Sequence, residues 1–144
     1  MAAALLAALG APSASAQCAV ATTGFAFGSY DVFTLTNRDS TGTLTVSCTV
    51  TVNARVTLGP SATSGNIVGR QMRPASGTDR LAYNLFINSA RTTVWGDGVS
   101  GGSALVFRVV LGRPAARTIF GRIPPGQDVA AGTYNDQVVI TVTP

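Results

Sequence analysis

Residues 43–52 read Thr-Leu-Thr-Val-Ser-Cys-Thr-Val-Thr-Val, an alternation so regular that the backbone has one local option. Leu44, Val46, Cys48, Val50 and Val52 fall on one face, and Thr43, Thr45, Ser47, Thr49 and Thr51 on the other. A two-residue period is that of a strand with one buried face, and β-branched threonine on the wet face adds strand propensity. The pattern predicts a strand over 43–52, continued by Val56 and Leu58 up to Gly59-Pro60. Residues 132–144 repeat the theme. A turn cluster leads into Val138, Ile140 and Val142 on one face, with Val139, Thr141 and Thr143 on the other. This strand is expected to close the chain with nothing after it to pair with its far side, which raises the question of whether the sheet is complete without another chain.

Shorter alternations lie between and before these two. Phe25 and Phe27 precede Gly28-Ser-Tyr30; Leu81, Tyr83, Leu85 and Ile87 mark another strand; Leu105, Phe107, Val109 and Leu111 share one side, with Arg108 on the other. Polar, glycine-containing stretches at 37–42, 61–66, 74–79 and 96–103, and Pro124-Pro125-Gly126, read as turns. No segment carries a capped 3.6-residue period. Many short strands separated by turns predict one all-β sandwich domain without linker or repeat.

Charge is sparse and of unusual kind. Only 11% of the 144 residues are charged; all ten basic residues are Arg, all six acids are Asp, and there is no His. Without His, neither a Ser-His-Asp nor a Cys-His arrangement can be built, and a zinc site would need Asp and Cys alone. The expectation is therefore not an enzyme, with no catalytic residues, no metal and no cofactor. The net charge is +4, but the arginines are scattered from Arg38 to Arg122 rather than clustered, so no nucleic-acid partner is expected.

The first sixteen residues, Met-Ala-Ala-Ala-Leu-Leu-Ala-Ala-Leu-Gly-Ala-Pro-Ser-Ala-Ser-Ala, join an apolar stretch to a helix breaker and an Ala-Ser-Ala end. This predicts a signal peptide over 1–16, cleaved after Ala16, with the mature domain spanning 17–144. The stretch lacks a preceding Lys or Arg and is too short for a transmembrane helix; no other segment has membrane-spanning length. In an exported chain the pair Cys18 and Cys48 reads as a disulfide, the alternative being two buried thiols.

Several ordered motifs run through the remainder: Phe27-Gly28-Ser-Tyr30-Asp31, Arg70-Gln-Met72, Leu81-Ala-Tyr83-Asn-Leu85-Phe86, Trp95-Gly96-Asp97-Gly98, Phe120-Gly121-Arg122-Ile123-Pro124 and Gly132-Thr133-Tyr134-Asn-Asp136. Together with the cysteine pair and the Val138–Thr143 ending, they resemble the spore coat protein U domain family, which includes subunits of archaic (Csu-type) chaperone–usher pili. The resemblance implies an incomplete immunoglobulin-like β-sandwich completed by a donor strand from a partner. It also implies a structural subunit of a surface pilus or fimbria. Its partners would be a periplasmic chaperone, an outer-membrane usher and neighbouring pilin subunits, and it would be exported through the periplasm to the cell surface.

On that reading Phe107, Val109, Leu111, Val138, Ile140 and Val142 are the expected lining of the donor-strand groove. A rod subunit carries an alternating donor stretch before its first cysteine. The expected mature chain has only Gln17 there, which points to a terminal or tip subunit. The alternatives are a self-contained secreted coat or matrix protein of the same fold and a tip carbohydrate-binding adhesin. For the last, Trp95 and Asp97 are the candidate surface ligands, against the plainer reading of a buried Trp beside an Asp-Gly turn. Asp136 and Asp31 are expected to fix turns, with an Asp136–Arg122 pair as the other option.

Overall fold

The computed structural model describes residues 18–144 and, as backbone only, residues 2–11. Met1 and residues 12–17 lie outside the described residues, and with them the expected cleavage point after Ala16. Among the described residues there are eleven strands and no helix. In chain order they are β1 (Ala2–Ala11), β2 (Cys18–Thr23), β3 (Ala26–Tyr30), β4 (Arg38–Cys48), β5 (Val52–Leu58), β6 (Gln71–Pro74), β7 (Leu81–Ala82), β8 (Asn84–Phe86), β9 (Leu105–Val109), β10 (Ala115–Ile123) and β11 (Gly132–Thr143).

They form a sandwich of two sheets. The larger runs β3-β1-β11-β5-β9, with β6 attached to β11 and β7 to β6; the smaller runs β2-β4-β10-β8. Inward residues of both sheets make one core: Leu44, Val46 and Ile119 from the smaller, and Val56, Leu58, Val138, Ile140 and Val142 from the larger, are all buried. The Cys18–Cys48 disulfide is formed and joins directly opposed residues of β2 and β4.

Two stretches expected as single strands are each divided between the sheets. The 43–52 alternation ends as a strand at Cys48. Residues 49–51 cross the sandwich, and β5 begins at Val52 in the opposite sheet. Val50, expected inward, is exposed in that crossing. Likewise Leu81 and Leu85 belong to β7 and β8 in different sheets, with the break at Tyr83. Alternation records which side of the local backbone is buried, and a chain that changes sheets across one core keeps that record. Leu111 also departs from expectation: β9 ends at Val109, and Leu111 lies exposed in the turn closed by Arg113 N–H on Val110 O.

Strand β10, central in the smaller sheet, has no clean alternation to announce it. The reason is at Gly121, where a Cβ would come within 2.7 Å of the Phe27 ring and 3.3 Å of Leu85. The larger sheet fills with an aromatic ring the space that a side chain on β10 would otherwise take.

Candidate functional site

The sheet order makes β1 the sole link between β3 and the rest of the larger sheet. It pairs in parallel with β11 along ten residues, from Ala2 opposite Gly132 to Ala11 opposite Thr141. It pairs antiparallel with β3 over a shorter span, Ala2 opposite Tyr30 to Leu5 opposite Ala26. The register shifts between Ala4 and Leu5, where Phe27 is skipped; Gly28, at φ 76°, supplies the left-handed residue such a bulge requires. Across the sandwich from β1 lies β2, tied to β4 by the disulfide. Strand β1 thus fills a slot whose walls are β3 and β11.

The walls are fastened independently of β1. Along its other flank β11 pairs antiparallel with β5, from Ile140 to Thr143, and with β6 at Tyr134 and Asn135. On β3, the Tyr30 hydroxyl donates to Pro124 O at 2.9 Å and accepts from Gln127 N–H. Arg38 Nε donates to Phe27 O at 2.8 Å, and the Phe27 ring meets Tyr83 edge-on at 6.0 Å between centroids.

A buried polar cluster anchors the middle of β11. Asp136 is buried; its Oδ1 accepts from Thr63 N–H at 3.1 Å and from Thr63 Oγ1 at 2.9 Å, and its Oδ2 accepts from the Tyr83 hydroxyl. Burial foremost, then that hydrogen bond, pushes the Tyr83 phenol far above its ordinary pKa, so it remains a donor at physiological pH. Fully buried Arg70 donates to Gly59 O at 2.8 Å, Leu58 O at 3.1 Å and Asn84 Oδ1 at 2.8 Å. Burial lowers its guanidinium to about 10, which leaves it a cation at neutral pH. Asn84 Nδ2 in turn donates to Ile67 O and Val68 O. These bonds tie the 59–70 loop to β11 through Thr63 and to β8 through Asn84, and among the described residues no buried side-chain nitrogen or oxygen lacks a partner.

The six residues expected to line a groove fall in two places. Val138, Ile140 and Val142 are inward residues of β11, the slot's long wall. Phe107 and Val109 are buried on β9, at the far edge of the sheet with β5 and β11 between them and β1, and Leu111 is exposed beyond β9. The second wall, carrying Phe27 and Tyr30, was read from the sequence as a short alternation and as part of the family motif, but not as a groove wall; that alternation and the left-handed glycine were the available signals.

The expected surface pair is not a pair. Trp95 is completely buried, and its Nε1 donates to Val56 O at 3.1 Å, so its ring is closed to any surface ligand. The Asp97 carboxylate accepts from the backbone N–H groups of Val99 at 2.8 Å and Ser100 at 2.7 Å, a tight turn; those bonds hold it below its usual pKa. Arg122 pairs with Asp39, at 2.8 Å, rather than with Asp136. Asp31 does fix a turn, accepting from Phe33 N–H at 2.9 Å. Among the described residues no group of His, Cys, Asp and Glu is large enough to hold a metal ion.

Comparison with known proteins places this architecture. The Spore Coat Protein U domain matches residues 2–141. Protein U of Myxococcus xanthus is 39% identical over 127 residues, covering 81% of this chain and 69% of the relative. A chain in the crystal structure of the CsuC–CsuE chaperone–tip adhesion subunit pre-assembly complex, from the archaic chaperone–usher Csu pili of Acinetobacter baumannii, superposes with a TM-score of 0.53 at 21% identity. That likeness is one of fold; it covers 87% of this chain but only 39% of the other. The chain is an all-β, immunoglobulin-like sandwich and belongs to the Spore Coat Protein U domain family.

Proposed function

We propose that this chain is a structural, non-enzymatic subunit of a surface pilus or fimbria, built by the chaperone–usher pathway. The slot between β3 and β11 is the place where a partner's strand completes it. The observation that carries this reading is the identity of the strand in the slot. The slot is filled by Ala2–Ala11, the apolar stretch with leader-peptide composition, and by no strand of the 18–144 body. Export with cleavage after Ala16 would remove that strand and leave the 17–144 domain with two unpaired edges. One is ten residues long on β11, and the other is a β3 that has lost its only neighbour in the sheet. Unpaired edges of this length seek a partner strand, and backbone pairing to a donor satisfies them. A periplasmic chaperone and then a neighbouring subunit are the donors this reading requires, with an outer-membrane usher as the assembly platform and the cell surface as the destination.

The same pairing favours one second reading. If residues 2–11 are retained, the chain closes its own sheet and is a self-contained secreted coat or matrix protein. Urea unfolding of oxidised 17–144, alone and with an added alternating apolar peptide, separates the two. The pilus reading expects a loose domain that gains a cooperative transition when the peptide is added. A domain already cooperative alone and indifferent to peptide sinks it.

A further inference from the structure

The flank of β11 that faces away from the slot carries a cavity that no part of the pilus reading uses. It lies beside Asn135, Asp136 and Gln137 of β11, walled by Ala62 and Thr63 on one side and by β6 and the turn after it on the other, and has a volume of about 470 Å³. Its lining includes Arg73, Arg80, Asn135, Gln137, Thr63 and Ser76. Arg73 lies on β6 and Arg80 just before β7, joined by the polar 74–79 turn that forms the rim.

The lining carries two guanidiniums against one carboxylate, an excess of one positive charge. Among the described residues the ion pairs are those of Arg91 and Arg122 with Asp39, so neither Arg73 nor Arg80 is neutralised by a carboxylate. Arg80 spends one N–H on the backbone oxygen of Asp79, leaving the rest of its fork free. The single acid on the wall, Asp136, has both oxygens occupied by Thr63 and Tyr83. Two guanidiniums lining one hollow are the arrangement that receives an oxyanion in a planar, two-pronged grip.

The remaining lining says what else the ligand carries. Asn135 and Gln137 each offer an amide that both donates and accepts, and Ser76 adds a hydroxyl. Their N–H and O–H groups also serve an oxyanion, but their accepting oxygens suit a ligand that adds hydroxyl groups. No aromatic side chain lines the cavity, which removes the stacking platform that a nucleobase uses. The volume falls within the usual range for small-ligand sites and has room for a mono- or disaccharide unit. We propose that this cavity binds an acidic saccharide, its uronate or sulfate group held by Arg73 and Arg80 and its hydroxyls by Asn135 and Gln137. The inference stands apart from the pilus reading, because it needs only the β6–β11 flank and not the slot.

The test is titration calorimetry on the full 144-residue chain, with di- and trigalacturonate as probes. Neutral galacto-oligosaccharide, a sulfated disaccharide and triglutamate serve as comparisons. The expected result is binding of the uronate or the sulfated sugar, weakened by salt, with no heat from the neutral sugar. Arg73→Gln and Arg80→Gln are each expected to lower affinity at least about tenfold, as losing a charged hydrogen bond does. Both side chains are exposed, so the urea midpoint should not move, and exposed Arg113→Gln should bind as the parent does. No binding by either acidic sugar overturns the proposal. So does equal binding by the Arg73 and Arg80 variants, or triglutamate binding as tightly as the sugars, which would make the site a peptide site.

Discussion

The two flanks of β11 are built on different principles. One flank meets β5 and β6 in antiparallel register, strands whose sequences were patterned for the purpose, with Asp136, Tyr83, Thr63 and Arg70 locking the loop between them. The other meets β1 in parallel register along ten residues of alanine, leucine and glycine. Nothing in Ala2–Ala11 alternates polar with apolar. The first flank is specified by named side-chain partners, while the second is a backbone ladder along a segment with no polar–apolar alternation. A strand held mainly by its backbone can be exchanged for another of similar length, whereas one locked by buried polar partners cannot. On the pilus reading proposed above, that asymmetry lets the body stay folded while the strand between β3 and β11 is replaced.

The comparison breaks most directly at Asp136. Its carboxylate accepts three hydrogen bonds in a buried setting. Asp136→Ala leaves the Tyr83 hydroxyl and Thr63 Oγ1 without their acceptor, and Thr63 N–H with only Ser61 Oγ at 3.2 Å, and is expected to cost about 3–5 kcal/mol. It should unlock the specified flank while leaving the slot's backbone intact. Urea unfolding of the full chain measures the loss. A loss below about 1 kcal/mol would mean that the polar cluster does not hold β11 in place.

The disulfide comes next. It closes a loop of sequence separation 30 and ties β2, which lies across from the slot, to β4. Chain-entropy reasoning gives about 3–4 kcal/mol for such a loop. Reduction, or a Cys18→Ser and Cys48→Ser double variant, should lower the urea midpoint accordingly. It should also weaken donor-peptide capture by 17–144, because the floor of the slot is no longer pinned. Full stability after reduction would show that the smaller sheet holds β2 without it.

A paired substitution sharpens the contrast between slot and remote edge. Ile140→Ala on β11 and Val109→Ala on β9 both hollow the core, at about 2–5 and 1–3 kcal/mol respectively. Only the first touches a slot wall. Donor-peptide affinity, measured by fluorescence titration of 17–144, should fall with Ile140→Ala and stay within about twofold for Val109→Ala. Equal losses would put β9 in the groove after all.

These elements also separate what was legible from what was not. Period-two patterning marked the alternating segments of β4, β5, β9 and β11, and the turn clusters bounded them. What it could not carry was sheet membership. The alternation through Cys48 and Val52, and that through Leu81 and Leu85, each continue across a change of sheet. The β11 wall of the slot was readable because its residues alternate. The β3 wall was not, since it depends on a bulge at Gly28 and on Phe27 fitting over Gly121, a match between residues 94 positions apart in the chain. Burial of Trp95 favoured the plainer of its two readings. The cavity between Arg73 and Arg80 had no sequence signal, since two scattered arginines look the same whether they share a hollow or not.

The smallest effect tests whether surface charge belongs to either principle. Asp39 on β4 accepts from Arg122 Nε at 2.8 Å and from Nη2 at 3.0 Å, with Arg91 at 3.7 Å. The hydrogen bond from Arg122 is the main cause that holds its carboxyl below the usual range, against a smaller opposing effect of burial. A carboxyl whose pKa is lower in the folded state stabilises the fold above its unfolded pKa. That contribution is lost as pH falls through the folded value, so it is complete at neutral pH and disappears in acid below about pH 4. Both side chains are about one-third exposed, so screening limits the pair to about 1 kcal/mol or less. Asp39→Asn should therefore shift the urea midpoint slightly at pH 7 and not at all at pH 2. Because β4 lies in the sheet that does not contain the slot, the same variant should leave donor-peptide affinity untouched. A change in that affinity would mean that the two sheets share strain, and that the exchangeable flank is not insulated from the rest of the fold.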